Sequence, residues 1–375
     1  MVNIASPTLA KSIGIATAGL LSLSIALPAQ QALPSQHYKQ TNLVADLPGV
    51  AQTTDPNLVN PWGMARSSGS PWWISDNGPG LATLYGGTGT PASLVVAVPA
   101  GGGAGGSGTP SGQIYNGTTS FQLAAGKPAL FMFVTEDGTI SGWNPGVNAT
   151  SAVITVDTKS ASVFKGLAVA TIDDPRQGPV NFLYVADFRK GHVNVYDANF
   201  HLIHLDGDSF RDERLPRGFA PFNVQNIGGN IYVAFAKQDS EKHDEVDGSG
   251  LGYVDVFSPT GRLLLRLQSG WWMNGPWGIA QAPTDFGAYS HDILVGQFGS
   301  GQIAAFDPLT GQFKGRLYDA TNAPIAIDGL WGLAFGNGSG AGPSTTLYFT
   351  AGSDGEQHGL FGTITPVENV LGGDQ

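Results

Sequence analysis

The chain has 375 residues, a formal net charge of −11 and an isoelectric point near 4.9. An acidic protein repels phosphate backbones and anionic membrane surfaces, so nucleic acid is not expected as a partner. The sequence contains no cysteine, which excludes disulfides, thiolate catalysis and cysteine-ligated zinc, whereas 54 glycines and 24 prolines favour short strands and tight turns over helices.

The N-terminus has the pattern of a signal peptide. Lys11 precedes an apolar stretch from Ile13 to Leu27, and Pro28 with small or polar residues follows it. A stretch of about 15 residues is short for a membrane span, which needs roughly 20. We therefore predict that residues 1–32 are a cleaved signal peptide, that no stable membrane anchor remains, and that the protein is exported to the periplasm or the extracellular space. An uncleaved anchor is the alternative.

A short motif recurs six times, about every 55 residues, and predicts the first strand of six equivalent units. It consists of Pro or Gly, an aromatic or apolar residue, Gly, and a small apolar run. A β-branched and aromatic strand, a polar turn and two further strands follow each copy. The copies begin at Pro61, Pro110, Gly166, Pro221, Pro276 and Leu330.

The repeat predicts an all-β, six-bladed β-propeller with four-stranded antiparallel blades across residues 38–366. A single sheet of this kind cannot bury both faces, so the units must stack around an axis. The last unit lacks a fourth strand, which the segment from Tyr38 to Asp46 resembles. We expect this N-terminal strand to pair with the final blade and close the ring. Residues 367–375 are predicted to be a polar tail.

Three first strands carry a tryptophan in register, namely Trp62, Trp277 and Trp331. We expect them to pack between blades, since a tryptophan used to stack on a ligand has no reason to recur at one position. The glycine run from Gly101 to Gly108 is interpreted as a loop because it lacks the strand and helix of a nucleotide site. The absence of a G-x-S-x-G motif excludes an α/β-hydrolase, and no cofactor fingerprint is present.

Polar side chains fall in two kinds of loop that a propeller places on one face, here called the top. These are the loops before the first strands and the loops between second and third strands, and both converge on the central channel. Carboxylate and amide oxygens suit Ca²⁺ or Mg²⁺. Solvated turns are the alternative, because Asp and Asn are favoured in turns for backbone reasons. The candidate metal ligands are Asn60, Asp76, Glu136, Asp187, Asp239 and Asp328.

The densest polar cluster is an insert in the fourth unit, from Gln238 to Gly250. Histidines there and near the C-terminus can supply imidazole ligands or a general base, and paired tryptophans can offer an aromatic face to a sugar ring. The candidates for catalysis are His243, His358 and Glu136. The candidates for ligand binding are Asp76, Asn77, Asp187, Asp239, Trp272, Asn274 and Asp354.

A second acidic group precedes the fourth unit. Arginines interleave with it, so internal salt bridges are the simplest expectation, with structural calcium as the alternative. The acidic residues are Asp206, Asp208, Asp212 and Glu213, and the arginines are Arg211, Arg214 and Arg217.

The strand pattern resembles NHL-type six-bladed propellers. Several runs are similar, more closely, to an uncharacterised family of exported propeller proteins, which implies the fold and export but no established activity. A C-terminal sorting anchor carried by some similar proteins is missing, so a freely soluble product is expected. The runs include Ala236-Lys237-Gln238-Asp239, Lys242-His243-Asp244, Leu330-Trp331-Gly332-Leu333-Ala334-Phe335, Leu347-Tyr348-Phe349-Thr350-Ala351-Gly352 and His358-Gly359-Leu360-Phe361-Gly362.

Two classes of function follow from these observations. The first is a binding module, expected as a monomer, whose top face takes a small polar ligand or a saccharide at the central channel. The second is a metal-dependent hydrolase or lyase, similar to lactonases, with an axial Ca²⁺ or Mg²⁺. An axial metal held by four or more top-face residues would favour the enzyme, and an exposed Trp272 would favour the binding module.

Overall fold

The computed structural model describes residues 36–103, 105–176, 178–205 and 207–367, all within the unit Pro34–Gln375. The predicted signal peptide and nearly all of the predicted C-terminal tail lie outside these residues. Within the described part of the chain, no helix has both the length and the apolar character needed to cross a membrane.

Six small sheets form blades 1 to 6 in chain order. The N-terminal segment and blade 1 contain β1 (Tyr38–Ala45), β2 (Thr53–Thr54), β3 (Pro61–Ala65), β4 (Trp72–Asp76), β5 (Leu81–Tyr85) and β6 (Val96–Ala97). Blade 2 and a small hairpin within it contain β7 (Pro110–Tyr115), β8 (Gln122–Ala124), β9 (Lys127–Pro128), β10 (Phe131–Thr135), β11 (Thr139–Trp143) and β12 (Val153–Asp157). Blade 3 contains β13 (Phe164–Asp174), β14 (Gly178–Asp187), β15 (His192–Tyr196) and β16 (Leu202–Ile203).

The second half of the ring has the same pattern. Blade 4 contains β17 (Phe219–Ile227), β18 (Asn230–Lys237), β19 (Tyr253–Phe257) and β20 (Leu263–Arg266). Blade 5 contains β21 (Pro276–Gln281), a 3-10 turn (Gly287–Tyr289), β22 (Ile293–Gln297), β23 (Ile303–Phe306) and β24 (Phe313–Arg316). Blade 6 contains β25 (Leu330–Phe335), β26 (Leu347–Ala351), the short helical segment α1 (Ser353–Glu356) and β27 (Leu360–Pro366).

The N-terminal strand completes blade 6. Strand β1 pairs antiparallel with β27, from Tyr38 opposite Pro366 to Ala45 opposite Leu360, and β2 adds a short parallel pairing on its outer side. This pairing covers the edge of β27 and joins the two ends of the propeller. The prediction of a six-bladed propeller closed by its N-terminal strand is confirmed.

The glycine of the repeated motif is required by the close approach of neighbouring inner strands. A Cβ atom on Gly63 would lie 2.6 Å from the carbonyl oxygen of Ser111, and one on Gly278 would lie 2.5 Å from that of Trp331. No side chain fits at such distances, so the first strands pack backbone against backbone around the channel.

The structure corrects the alignment of the third copy. The glycine that meets the neighbouring inner strand in blade 3 is Gly166, where an added Cβ would lie 2.9 Å from the Cα of Asn223. The residue equivalent to Trp62 is therefore Lys165, and the third copy begins at Phe164 and not at Gly166. The motif was misaligned here because its second residue is the charged Lys165, whereas the pattern predicted an aromatic or apolar residue.

In each of the six first strands, one residue comes directly before the position where neighbouring inner strands meet. These six residues form one layer across the channel, called here the channel ring. Trp62 of blade 1 stacks on Trp331 of blade 6 with ring centroids 3.5 Å apart, and it meets Phe222 of blade 4 at 6.4 Å. Blades 1 and 4 face each other across the propeller, so this contact lies at the axis. The tryptophans are thus buried and pack on residues of other blades, as predicted, and the structure places these contacts in the channel. The channel ring consists of Trp62, Ser111, Lys165, Phe222, Trp277 and Trp331.

Candidate ligand site at the mouth of the channel

An ion-pair network lies on the top side of the channel ring. The Lys165 side chain is fully buried, and its Nζ atom lies 2.5 Å from Glu136 Oε1 and 3.1 Å from Asp244 Oδ1. Glu136 follows β10 in blade 2, whereas Asp244 belongs to the insert of blade 4, residues 238–250. One ammonium group from blade 3 therefore links loops of two other blades.

Lys165 and Asp244 both stay charged in this network. Burial lowers the pKa of Lys165, but the carboxylates of Glu136, Glu245 and Asp244 raise it further, to a net value above the ordinary one. Burial raises the pKa of Asp244, but Lys165 and His243 bring it below its ordinary value. The network is thus an ionised contact between the blades.

Three further carboxyl groups at the mouth have raised pKa values. Burial, opposed by Lys165, raises the pKa of Glu245 to about 8. Burial and then the charge of Glu136 raise the pKa of Glu356 to about 7, and burial also raises the pKa of Asp247. Near neutral pH, Glu245 and Glu356 can therefore donate as well as accept hydrogen bonds.

An aromatic ring and two oxygen atoms lie beside these carboxyl groups. Phe298 is half-buried and stacks on Trp331 at 4.0 Å. A Cβ on Gly299 would meet Asp247 Oδ1 at 2.3 Å and Asn274 Oδ1 at 2.4 Å. Because residue 299 is glycine, no side chain at this position covers Asp247 Oδ1, while Asn274 Oδ1 accepts from the backbone N–H of Gly248.

A chain of hydrogen bonds connects the channel ring with Glu136. The indole Nε1 of Trp331 donates to Asn60 Oδ1 at 3.1 Å, and Asn60 Nδ2 donates to Asn77 Oδ1 at 3.4 Å. Asn77 Nδ2 then donates to Glu136 Oε2 at 2.8 Å. Three of the residues singled out in the sequence, Asn60, Asn77 and Glu136, are thus brought together at the mouth.

Asp76 and Asp187 have partners within their own blades. Asp76 Oδ2 accepts from the backbone N–H of Thr83 at 3.1 Å, and burial raises the pKa of Asp76 well above its ordinary value. Asp187 accepts from the backbone N–H of Lys190 and from Asn194 Nδ2. Both carboxyls are fully buried and fasten the turns between second and third strands.

Four other candidates shape the loops that reach the mouth. Asp239 Oδ1 accepts from the backbone N–H of His243 at 2.9 Å and so folds the insert of blade 4. Asp328 Oδ2 accepts from the backbone N–H of Asp354 at 2.8 Å. Asn274 Oδ1 accepts from the backbone N–H of Gly248 at 2.6 Å and joins that insert to blade 5.

The two candidate histidines contact different carboxylates. His243 Nδ1 lies 2.9 Å from Asp244 Oδ1 in the insert. His358 Nδ1 lies 2.7 Å from Asp46 Oδ2, immediately after β1, and therefore ties the N-terminal strand to blade 6.

Trp272 is packed, and its neighbour Trp271 is the exposed member of the pair. Trp272 stacks on Phe313 at 4.0 Å, and its indole Nε1 donates to the backbone carbonyl of Gln268. Trp271 is 57% exposed, and the guanidinium of Arg316 lies 4.6 Å from its ring. The free aromatic face predicted for Trp272 is thus offered by Trp271.

The residues at the mouth do not fit a divalent cation while Lys165 is in place. Glu136, His243 and Asp244 each offer a ligand atom within 4.8 Å of the others, a set that by itself suits a metal ion. The Lys165 ammonium already contacts two of these residues. Like charges about 4 Å apart repel by roughly 4 kcal/mol per unit pair in a partly solvated site, so the ammonium opposes a metal ion here.

Sequence reasoning missed Lys165, Glu245, Glu356 and Phe298. The signal for Lys165 was present, because aligning the third copy on Gly166 places it in the channel ring. Glu245 and Glu356 lie in polar loops that the sequence had singled out, but nothing in those loops distinguishes the carboxyls whose pKa values are raised by burial. Phe298 follows a predicted strand without any pattern of its own.

Two viral proteins are similar to this chain over most of their length. The uncharacterised protein R648 of Acanthamoeba polyphaga mimivirus is 32% identical over 342 residues, which cover 87% of this chain and 80% of R648. The uncharacterised protein L690 of the same virus is 30% identical over 344 residues, which cover 87% of this chain and 85% of L690. No family model matches the chain.

Solved structures share the fold at low sequence identity. A glucose dehydrogenase superposes with a TM-score of 0.51 at 12% identity, covering 87% of this chain and 99% of that one. A streptogramin B lyase has a TM-score of 0.49 at 12% identity, covering 88% and 97%. The likeness to the dehydrogenase concerns the fold alone. The sequence relatives decide the family: this chain belongs to the family of R648 and L690, and its own structure is a six-bladed β-propeller.

Proposed function

We propose that this protein binds a small saccharide, neutral or amino-bearing, at the mouth of the channel on the top face. The observation that carries the proposal is the group of carboxyls formed by Glu245, Asp247 and Glu356, in which Asp247 lies close to the half-buried Phe298. Carboxyl groups bind sugar hydroxyls by hydrogen bonds, while an aromatic ring covers the apolar face of a sugar.

The channel ring supports a ligand at the mouth and not one inside the channel. Trp62, Trp277 and Trp331 are almost completely buried and contact one another across the axis. The ligand would therefore rest above this layer, against loops from several blades. Such a position is typical of ligand sites in closed β-architectures.

The charge at the mouth selects among ligands. Glu136 and Asp244 together carry one more negative charge than the Lys165 ammonium balances, and the acidic groups of Asp247 and Glu356 lie in the same cluster. Burial and then the neighbouring charge of Glu136 are the main causes of the raised pKa of Glu356. A uronic acid would be repelled, whereas an amino sugar would be attracted.

Isothermal titration calorimetry against matched sugars tests the proposal. We expect binding of glucose-type or glucosamine-type ligands and none of the corresponding uronates. Glu356→Gln should weaken binding about tenfold, because the amide carries no charge and has only one acceptor oxygen. Glu241→Gln changes an exposed carboxyl in the insert of blade 4; it is the control and should leave the affinity unchanged. Equal binding of uronates, or no binding by any sugar, would refute the proposal.

A metal-dependent hydrolase or lyase is the second candidate, and the cluster of Glu136, His243 and Asp244 favours it. It requires a divalent ion beside Lys165, which the charges oppose. Metal analysis of the purified protein separates the two functions, because one equivalent of tightly bound Ca²⁺ or Mg²⁺ would support the enzyme.

We further propose that the protein is exported as a monomer after removal of residues 1–32. The apolar stretch from Ile13 to Leu27 supports export. Intact mass of the secreted product is the test, and a product that retains Met1 would contradict cleavage.

A further inference from the structure

Lys165 is the charged member of the channel ring. Its five equivalents in the other blades are aromatic or small, and three of them are tryptophans. Its side chain is completely buried, so the ammonium has left water in order to lie in this layer. Burial of a charge is costly unless partners compensate for it, so a lysine in this position calls for a specific reason.

The surroundings of the ammonium come from four blades. Oxygens of Glu136 in blade 2 and Asp244 in blade 4 lie 2.5 Å and 3.1 Å from Nζ. The Trp62 ring of blade 1 lies 4.9 Å away, and the rings of Phe188 and Phe222 lie 5.8 Å away. Carboxylates and aromatic faces are the two kinds of group that stabilise a cation in a protein.

The Lys165 ammonium occupies the position that a metal cation bound on the axis would take. The carboxylates that hold Nζ also belong to the cluster of Glu136, His243 and Asp244, whose ligand atoms could hold a metal ion. The ammonium thus has the same ligands from different blades that a hard cation would use. It differs in being covalently attached to the chain, so it is always present in the folded protein.

The contact also fixes the insert of blade 4 over the mouth. Asp244 lies in this insert, and Gln238 at its start donates to the carbonyl oxygen of Phe188 in blade 3 at 2.5 Å. At its other end, Gly248 donates to Asn274 of blade 5. The ion pair holds the middle of the insert, where Glu245 and Asp247 are located.

We propose that the Lys165 ammonium is the built-in axial cation of this propeller, replacing a bound metal ion as the group that joins blades 2, 3 and 4 and holds the insert over the channel. The mouth is assembled without a divalent ion, whatever ligand it binds. The inference is independent of the saccharide proposal, since it concerns stability and metal content.

Removal of the ammonium with chemical rescue tests this inference. Lys165→Ala leaves a space with the shape of n-propylammonium, the part of lysine beyond Cβ. We expect the thermal midpoint of the variant to fall by about 10 °C, because two carboxylates lose their buried partner. Millimolar n-propylammonium should restore part of the loss, whereas n-propanol should not. Calcium should also raise the midpoint of Lys165→Ala, through the vacated oxygens.

The wild-type protein provides a test that does not depend on the variant. Its thermal midpoint should be unchanged by a chelator and by millimolar calcium, and it should contain less than one-tenth of an equivalent of divalent metal. Lys190→Ala is the matched control, because Lys190 pairs with Asp187 at 3.8 Å but is 43% exposed, and it should shift the midpoint by no more than about 2 °C. A chelator-sensitive wild-type protein, stoichiometric metal, or rescue by n-propanol equal to that by n-propylammonium would overturn the inference.

Discussion

Glu356 belongs to three consecutive residues in the left-handed region of backbone space. The φ angles of Asp354, Gly355 and Glu356 are 53°, 61° and 67°. Residues other than glycine adopt this conformation at a cost in free energy, and such residues concentrate at functional sites. Here the conformation accompanies a carboxyl whose pKa is raised by burial and by Glu136 to about 7.

The raised pKa values of Glu245 and Glu356 predict that stability declines with pH. Both groups start from an ordinary value of 4.5 and reach about 8 and about 7 in the folded protein. The folded state therefore holds protons that the unfolded chain releases, and the resulting stability, full below about pH 4.5, is lost as pH rises through 7 and 8. We expect the free energy of unfolding, measured with urea, to fall between pH 5 and 8.

Substitution of Glu356 isolates its share of this effect. Glu356→Gln should reduce the decline in stability between pH 5 and 8, because the amide does not titrate. The exposed Glu241→Gln should keep the wild-type profile. An unchanged pH profile in Glu356→Gln would show that the folded-state pKa of Glu356 is not raised.

At the scale of single elements, the outer strands of blade 4 are joined by a buried ion-pair network. Arg266 in β20 donates to both carboxylate oxygens of Asp255 in β19, at 2.6 Å and 2.8 Å. Asp212 lies 2.9 Å from Arg266 and 3.0 Å from Arg214. The acidic group before blade 4 thus forms internal salt bridges through Asp212, as the interleaved charges predicted, while Asp206 lies outside the described residues.

This network predicts unequal effects for its two arginines. Arg266→Met should lower the free energy of unfolding by about 3–5 kcal/mol, since it leaves the fully buried Asp255 without a partner. Arg214→Met removes a side chain that is 67% exposed and should lower the free energy of unfolding far less than Arg266→Met does. Urea unfolding of the two variants is the measurement, and equal losses would contradict the assignment.

At the scale of the whole molecule, the ring depends on a strand from the start of the chain. Tyr38 in β1 is buried, its hydroxyl donates to the carbonyl oxygen of Phe286 at 3.0 Å, and its ring lies 5.0 Å from that of Phe286. The first strand of the propeller therefore packs on blade 5 while it pairs with blade 6. A long-range closure of this kind makes the blades one cooperative unit.

Shortening the N-terminus tests the closure. A chain lacking residues 1–45 exposes the edge of β27 and should show a lower thermal midpoint and self-association in size-exclusion chromatography. A chain lacking residues 1–35 retains β1 and is the control, expected to be monomeric. Equal midpoints for the two chains would mean that β1 contributes nothing to closure.

The site was predicted less completely than the fold, for a reason visible in individual carboxyls. Asp76 and Glu136 occupy the same kind of loop in neighbouring blades, but Asp76 bonds to its own turn, whereas Glu136 pairs with Lys165 across two blades. A sequence places both in the loop and does not specify the direction of either side chain. Lys165 was overlooked because its charge broke the motif that identified the other first strands.

The sequence by itself determined the number of blades and the strand that closes the ring. These features depend on local periodicity: glycine where strands approach, alternating apolar residues, and turns at regular intervals. Only the tertiary structure decided which side chains meet at the axis, since residues 62, 165 and 244 are far apart in the chain and are brought together by the ring. Their contacts, and the pKa values that follow from them, depend on burial and distance, and neither is encoded in any local pattern.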